Sequence, residues 1–377
     1  MTFCMYMNQI TPHLMPLARE AVKLLGAENV RYIYEKELEL SRVKLGWNES
    51  PERWVLHKVR DAAEAGYWLD SSDILICERR ELDLWERRAK SGKGMYYTSE
   101  RWFKPIHNHL PGWLRLLSPK FFHMFRGAVK LFDRHPNLVY LADGYYAAED
   151  FVRLRDIMHG KIWTIFCRPN VEAGKFPLSD FVCRGKGDKQ LKMWGYFVAP
   201  SSANAIIEKK DQLSKVLWIG RYLVWKRVDT IIKAVLATQD LTLDLYGQGP
   251  EEQRLKNLAG NSSRIVFHGP VPGDEVRRVM REHDVYILSS NEYEGWGAVV
   301  NEAIEEGMVV VGTYEAGASR AILPSENLYH VGDWKGLACV LNKSPSRIPI
   351  GEWSVKSVAW KLLAGAIKDG TRITNKM

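Results

Sequence analysis

No apolar stretch in this sequence approaches the ~18 residues that a membrane-spanning helix needs. The longest candidates, such as Met308–Val311 or Ala298–Val300, stop after a few residues. Met1–Ile10 has no basic leader or cleavage site and reads as a first strand, so the expected location is the cytoplasm or the inner face of its membrane. Cysteine is scarce: Cys4, Cys77, Cys167, Cys183 and Cys339 form no Cys-x-x-Cys pair, and no histidine cluster has metal-ligand spacing. An odd, scattered set reads as buried free thiols in a reducing compartment. No Asp-x-Asp pair is present to hold a divalent cation against a diphosphate, and there is no internal repeat or low-complexity tract.

What remains is an ordinary globular composition, 46% hydrophobic and 26% charged, in a chain of 377 residues, long enough for two domains. The net charge of +8 favours anionic partners without choosing between nucleotide phosphates, nucleic acid and acidic lipid.

In the C-terminal half, apolar runs alternate with amphipathic segments. Strands are expected at Lys215–Gly220, Leu241–Tyr246, Arg264–His268, Val285–Leu288 and Met308–Thr313, and helices at Arg227–Thr238, Glu251–Ala259, Asp274–Glu282 and Ala298–Glu306. Continuous apolar strands between helices predict a parallel, doubly wound sheet. A weaker alternation in the N-terminal half places strands at Thr2–Met7, Val30–Tyr34, Ile74–Cys77, Met95–Thr98, Leu138–Leu141 and Ile162–Phe166. Helices are expected there at Leu14–Leu25, Glu81–Lys90 and Ala147–Ile157, and Val171–Lys192 reads as a surface loop. The expected fold class is α/β, with two Rossmann-like domains and a cleft between them. The expected domains are residues 1–198 and 199–350, with 351–377 expected as a terminal helix packing back on the first.

Ligands bind beyond the carboxyl ends of parallel strands, and four such ends in the second half carry unusual residues. Gly220-Arg221, with Lys226 five residues on, offers a sharp turn and two cations. Gly247-Gln248-Gly249-Pro250 and Gly269-Pro270-Val271-Pro272 offer close backbone approach, although plain turns would look the same. After Val285–Leu288 comes Ser289-Ser290-Asn291-Glu292-Tyr293-Glu294-Gly295-Trp296-Gly297, then a helix from Ala298 whose first N–H groups suit a diphosphate. Glu294 lies in the loop and Glu302 eight residues later; acids at a helix start are also favourable in any protein.

The run Glu294-x7-Glu302 resembles the signature of retaining GT-B glycosyltransferases, above all glycosyltransferase family 4, and the other three loops occur in that family's order. The resemblance covers about residues 214–340. It implies that Arg221 and Lys226 hold the donor diphosphate, that Glu302 binds the ribose and that Glu294 contacts the sugar. Gly220, Gly247, Gly249, Gly269, Ser290, Gly295, Gly297 and Ala298 would complete the donor site. It further implies a nucleotide-sugar substrate, UDP-, GDP- or ADP-linked, retention of anomeric configuration, and no metal or other cofactor. Met308 stands where the family usually has Pro, and Glu305-Glu306 is an unusual acidic pair, both bearing on strand entry rather than chemistry.

The N-terminal half names no acceptor. His13, Glu100 and Asp143 follow strands and are candidates for substrate contact; Trp194–Phe197 reads as cleft lining or packing. From Arg101 to Phe132 six basic residues and no acid are interleaved with aromatics. Such a segment either lies on an anionic bilayer and serves a lipid-linked acceptor, or is a helix with its aromatics in the core. A glycan acceptor remains open, as do two other classes: a nucleotide-sugar epimerase and a non-enzymatic nucleotide- or nucleic-acid-binding protein. The basic segment has no known RNA-module signature and the paired glutamates would repel phosphates, so no nucleic-acid partner is expected.

Overall fold

The computed structural model describes residues 1–43, 51–99, 102–103, 111–161, 191–201 and 213–349. The expected strand Ile162–Phe166, Glu100, most of the loop from Val171, residues 202–212 and the terminal helix lie outside these residues. Two compact units emerge, one holding 1–39 and 51–197, the other 40–43 and 198–349.

The first unit is a parallel sheet ordered β3-β2-β1-β4-β5-β6-β7. Its strands are β1 Phe3–Met7, β2 Val30–Tyr34, β3 Val55–His57, β4 Ile74–Cys77, β5 Gly94–Ser99, β6 Leu138–Asp143 and β7 Leu191–Trp194. β1 is buried at every position, as a central strand covered on both faces must be. The helices are α1 Met15–Leu25, α2 Ala62–Ser71, α3 Leu82–Ser91, α4 Pro119–Arg134 and α5 Tyr145–Met158. α1 starts with Pro16 in its first turn, where no backbone donor is lost, and stops at Gly26, whose φ is 88°. At the amino ends of the strands, the buried Arg88 guanidinium donates to the carbonyls of Ser72 at 2.6 Å and Gly94 at 2.5 Å. Burial pushes its pKa down to about 10.

β7 corrects one boundary: Leu191 and Lys192, expected at the end of a loop, begin an edge strand, and Trp194 and Phe197 are buried. Cysteine behaves as expected at Cys4 and Cys77, which are buried, burial pushing the Cys77 thiol up to about 12. Cys339 is exposed, against that expectation, because it lies on the outer face of a surface helix whose Leu337 and Leu341 face inward.

The second unit is a parallel sheet ordered β10-β9-β8-β11-β12-β13. The strands are β8 Lys215–Arg221, β9 Thr242–Gln248, β10 Ile265–Gly269, β11 Val285–Leu288, β12 Val309–Thr313 and β13 Leu328–Tyr329. Between and after them run α6 Val228–Ala237, α7 Glu252–Ala259, α8 Val276–Arg281, α9 Val299–Glu305, α10 Gly317–Ile322 and α11 Trp334–Asn342. Val216, Trp218, Leu243, Leu245, Val285 and Ile287 of the sheet pack with Ile231, Ile232 and Val235 of α6 in one buried core. Asp284 fixes the start of β8 by accepting from Ser214 N at 3.0 Å and Lys215 N at 2.9 Å.

Candidate functional site

In the second sheet the chain leaves β8 toward β9 and β10, then returns to β8's other side with β11. The crevice beyond the carboxyl ends of β8 and β11 is therefore the switch point where doubly wound sheets bind ligands. Two loops meet there. One follows β8 and carries Arg221 and, in the helical turn Val224–Lys226, Lys226. The other follows β11 and carries Ser289 to Ala298.

The loops are bonded to each other. Lys226 Nζ forms an ion pair with Glu294 Oε2, at a site where the two side chains are only 18% and 12% exposed. Ser290 Oγ donates to the same carboxylate oxygen at 2.6 Å. Ser289 Oγ donates to the Lys226 carbonyl at 2.6 Å, and Asn291 N to that of Trp225 at 3.0 Å. The cation also lies 4.5 Å from the centre of the Trp225 ring. Arg221, by contrast, is exposed at the end of β8, and among the described residues its guanidinium has no acidic partner. The pair of cations is thus divided: one is held and partly neutralised, the other is open to an incoming anion.

Glu302 lies in the first turn of α9, with Ala298 as the residue before the helix. Burial pushes its carboxyl up to about 7, with Arg277 opposing and Glu306 adding to the rise. Burial also raises the Tyr286 phenol, with the charges of Glu294 and Glu302 adding to the rise. Among the described residues no group of carboxylates, histidines and cysteines has the arrangement to hold a metal ion.

The glycines serve chain approach. A Cβ on Gly247 would come 1.9 Å from the Gly220 carbonyl oxygen, and one on Gly249 2.7 Å from Tyr222 N. These residues let β8 and β9 run close together. Gly297 has φ 88°, a conformation a side chain would oppose, and a Cβ there would meet Leu288 at 3.0 Å. Gly269 ends β10, and Gly295 is half-buried in the loop behind Glu294.

Glu305 and Glu306 are both buried. Glu306 accepts from Arg281 at 2.9 Å and from Ser201 Oγ at 2.9 Å, and pairs with Arg277 at 2.8 Å. Arg277 in turn donates to the carbonyl of Ala199 at 2.8 Å. The unusual acid thus anchors the segment through which the chain enters this unit.

In the first unit the switch point lies between β1 and β4. Of the sequence candidates, Asp143 and His13 fall among the described residues. Asp143 is buried at the end of β6 and accepts from Thr98 Oγ1 at 2.8 Å. His13 stacks on Tyr196, with ring centres 5.8 Å apart and 7° between planes. Sequence reasoning missed a cluster at the switch point itself. Tyr6 of β1 meets Glu35, Lys58 and Glu81, which follow β2, β3 and β4, with a hydrogen bond of 2.6 Å to Glu81. Lys58 reaches Glu81 at 2.8 Å and Arg79 reaches Glu35 at 2.7 Å. The available signal was a charged residue directly after β2 and β3, Glu35 and Lys58.

The acid-free segment divides between the two readings. Phe125 and Phe132 of α4 are buried, whereas Leu117, Phe121 and Phe122 are 75%, 36% and 37% exposed. Lys120, Arg126 and Lys130 are exposed with them. Among the described residues no helix is long and apolar enough to cross a membrane.

Residues 214–343 match the family model of glycosyl transferases group 1. An uncharacterized glycosyltransferase of Methanocaldococcus jannaschii is 30% identical over 129 residues, 32% of this chain and 33% of that protein. The lipopolysaccharide core biosynthesis glycosyltransferase LpsE of Rhizobium meliloti is 33% identical over 128 residues, 33% of this chain and 37% of the relative. The aligned stretch thus spans only about a third of these relatives' length. Solved structures match across the whole chain. The lipopolysaccharide outer core galactosyltransferase WaaB superposes with a TM-score of 0.55 at 14% identity, and Anabaena HepE in complex with UDP with 0.57 at 13%, each covering 100% of both chains. Residues 214–343 are thus similar to glycosyl transferases group 1, within a chain that has the two-sheet fold of GT-B glycosyltransferases.

Proposed function

We propose that this chain is a retaining, metal-independent glycosyltransferase, with a nucleotide sugar held by the second unit and an acceptor served by the first. The observation that carries this reading is the Lys226–Glu294 ion pair beside the open Arg221 at the sheet's switch point. Departure of the nucleoside diphosphate is the costly event in such a transfer, and fixed positive charge at the leaving phosphate lowers its barrier. Arg221 and Lys226 supply that charge without a metal, Glu294 stands where the sugar would lie, and Glu302 offers its carboxyl to the ribose.

UDP is the first donor nucleotide to test. It is the ligand in the HepE structure, and a UDP-N-acetylglucosamine–peptide N-acetylglucosaminyltransferase subunit of Limosilactobacillus reuteri is 30% identical over 117 residues. On the acceptor side, the exposed Phe121 and Phe122 among cations favour a lipid-linked substrate at an anionic surface over a freely diffusing glycan.

Calorimetric titration of the protein with UDP, GDP and ADP tests the donor assignment. One nucleotide should bind, and Arg221→Ala should weaken it by about 1.5–3 kcal/mol, the scale of hydrogen bonds to charged groups. Turnover with the matching sugar nucleotide should survive EDTA. Binding of none of the three, or unchanged affinity in the variant, would overturn the reading.

A further inference from the structure

The first unit has a cavity of about 500 Å3 where the starts of α3 and α4 meet, lined by Arg80, Glu81, Asp83, Arg87, Lys120 and Phe121 with apolar side chains between them. Its charges are unevenly spent. Glu81 is taken up by Lys58, at 2.8 and 3.0 Å, and Arg87 by Asp70 at 2.9 Å. Arg80 is different. Its Nε donates to Tyr97 Oη at 2.7 Å and its guanidinium lies 4.8 Å from the centre of the Trp102 ring. Both partners are neutral, so they aim the group without cancelling its charge. Lys120 has no acidic partner among the described residues, and Asp83 is the exposed acid that remains.

A third cation, Arg115, lies within electrostatic reach of the first. Burial lowers the Arg115 pKa, and the charge of Arg80 lowers it further against the pull of Asp150. Beside the cavity Leu117, Phe121 and Phe122 are exposed. Aimed positive charge in a hollow, next to unburied apolar side chains, suits a phosphate ester carrying an acyl tail.

We propose that this cavity binds the phosphate of an anionic lipid, with Arg80 and Lys120 as its ligands and Phe121 against the first part of the tail. The donor site plays no part in the argument, so nucleotide binding serves as an independent check on the variants. Only the source of the phosphate rests on the membrane reading.

Three soluble probes separate the possibilities when titrated into the full chain by calorimetry: dihexanoyl phosphatidic acid below its micelle concentration, sn-glycerol 3-phosphate, and dihexanoylglycerol. Phosphatidic acid should bind, glycerol phosphate more weakly, and dihexanoylglycerol not at all. Arg80→Gln and Lys120→Gln should each weaken phosphatidic acid by about tenfold, the scale of one charge-assisted hydrogen bond. Arg126→Gln, outside the cavity, should not. Lys120 is exposed, so its variant decides the matter if loss of the Tyr97 bond unfolds the Arg80 variant. Equal affinity for phosphatidic acid and glycerol phosphate would overturn the lipid as the source. Wild-type affinity in both cavity variants, or equal binding of dihexanoylglycerol, would overturn the phosphate site.

Discussion

Glu302 links stability to function through a single proton. Its pKa in the folded chain, about 7, lies above the ordinary carboxylate value of 4.5, so the fold favours the protonated form. Ionisation then costs stability, beginning as pH rises past the ordinary carboxylate range and complete above about 7. Glu302→Gln should therefore stabilise the unliganded protein by about 1–3 kcal/mol at pH 8 and by little at pH 5. Urea denaturation at the two pH values measures this; an equal effect at both would place the group in water. At pH 8 the same substitution should weaken nucleotide binding, because a neutral amide then replaces an ionised acceptor. Single residues were legible in part. The eight-residue spacing of Glu294 and Glu302 could be read directly, but the contact of Glu294 with Lys226 joins positions 68 apart and has no local trace. The Tyr6 cluster was hidden for the same reason, since it is assembled from a residue within β1 and others that follow β2, β3 and β4.

Elements hold the site's loops in place. The loop carrying Glu294 runs across the start of α10, where Ala318 N donates to the Trp296 carbonyl at 2.8 Å. A Cβ on Gly317 would come within 2.1 Å of the Gly295 carbonyl oxygen. Gly317→Ala should therefore destabilise by about 1–3 kcal/mol, as overpacking does, and push the loop off its geometry so that nucleotide affinity falls as well. Gly66→Ala in α2 is the control, because nothing lies within 4 Å of its would-be Cβ. Denaturation and calorimetry on both variants check this, and parallel behaviour of the two would refute it. Strands such as Val30–Tyr34, Ile74–Cys77 and Val285–Leu288 were legible to the residue, because apolar β-branched and aromatic runs end abruptly at charged or polar residues. β3, with three residues, and β13, with two, are too short to show any period. α10 was missed because Gly, Ala and Ser carry no hydrophobic periodicity.

For the molecule as a whole, the net charge of +8 acquires a direction from α4 and the turn before it. Exposed Leu117, Phe121 and Phe122 share this surface with Lys120, Arg126 and Lys130. Each cation near an anionic bilayer contributes roughly 1 kcal/mol, weakened by salt. The protein should thus sediment with vesicles containing phosphatidylglycerol and not with phosphatidylcholine alone. Changing Lys120, Arg126 and Lys130 together to Gln should abolish most of that binding. Equal, negligible sedimentation in all cases would return the segment to a solvated role. The two-sheet architecture was legible because the strand–helix alternation recurs along the chain. The acceptor was not, because the first unit's polar residues are brought together only by the fold.

Both sheets share an ordering that bears on how the chain is made. β1 ends with β2 on one side and β4 on the other, and β8 ends with β9 and β11. In each unit the strand synthesised first is the one that finishes inside the sheet. A nascent chain can therefore lay β2 and β3 outward from β1, and then β4 to β7 outward from its other edge, without opening a pair already formed. The first edge of β1 is covered within some thirty residues of translation, while the second stays unpaired until β4 emerges. That interval is when the growing chain offers an apolar strand edge to its neighbours.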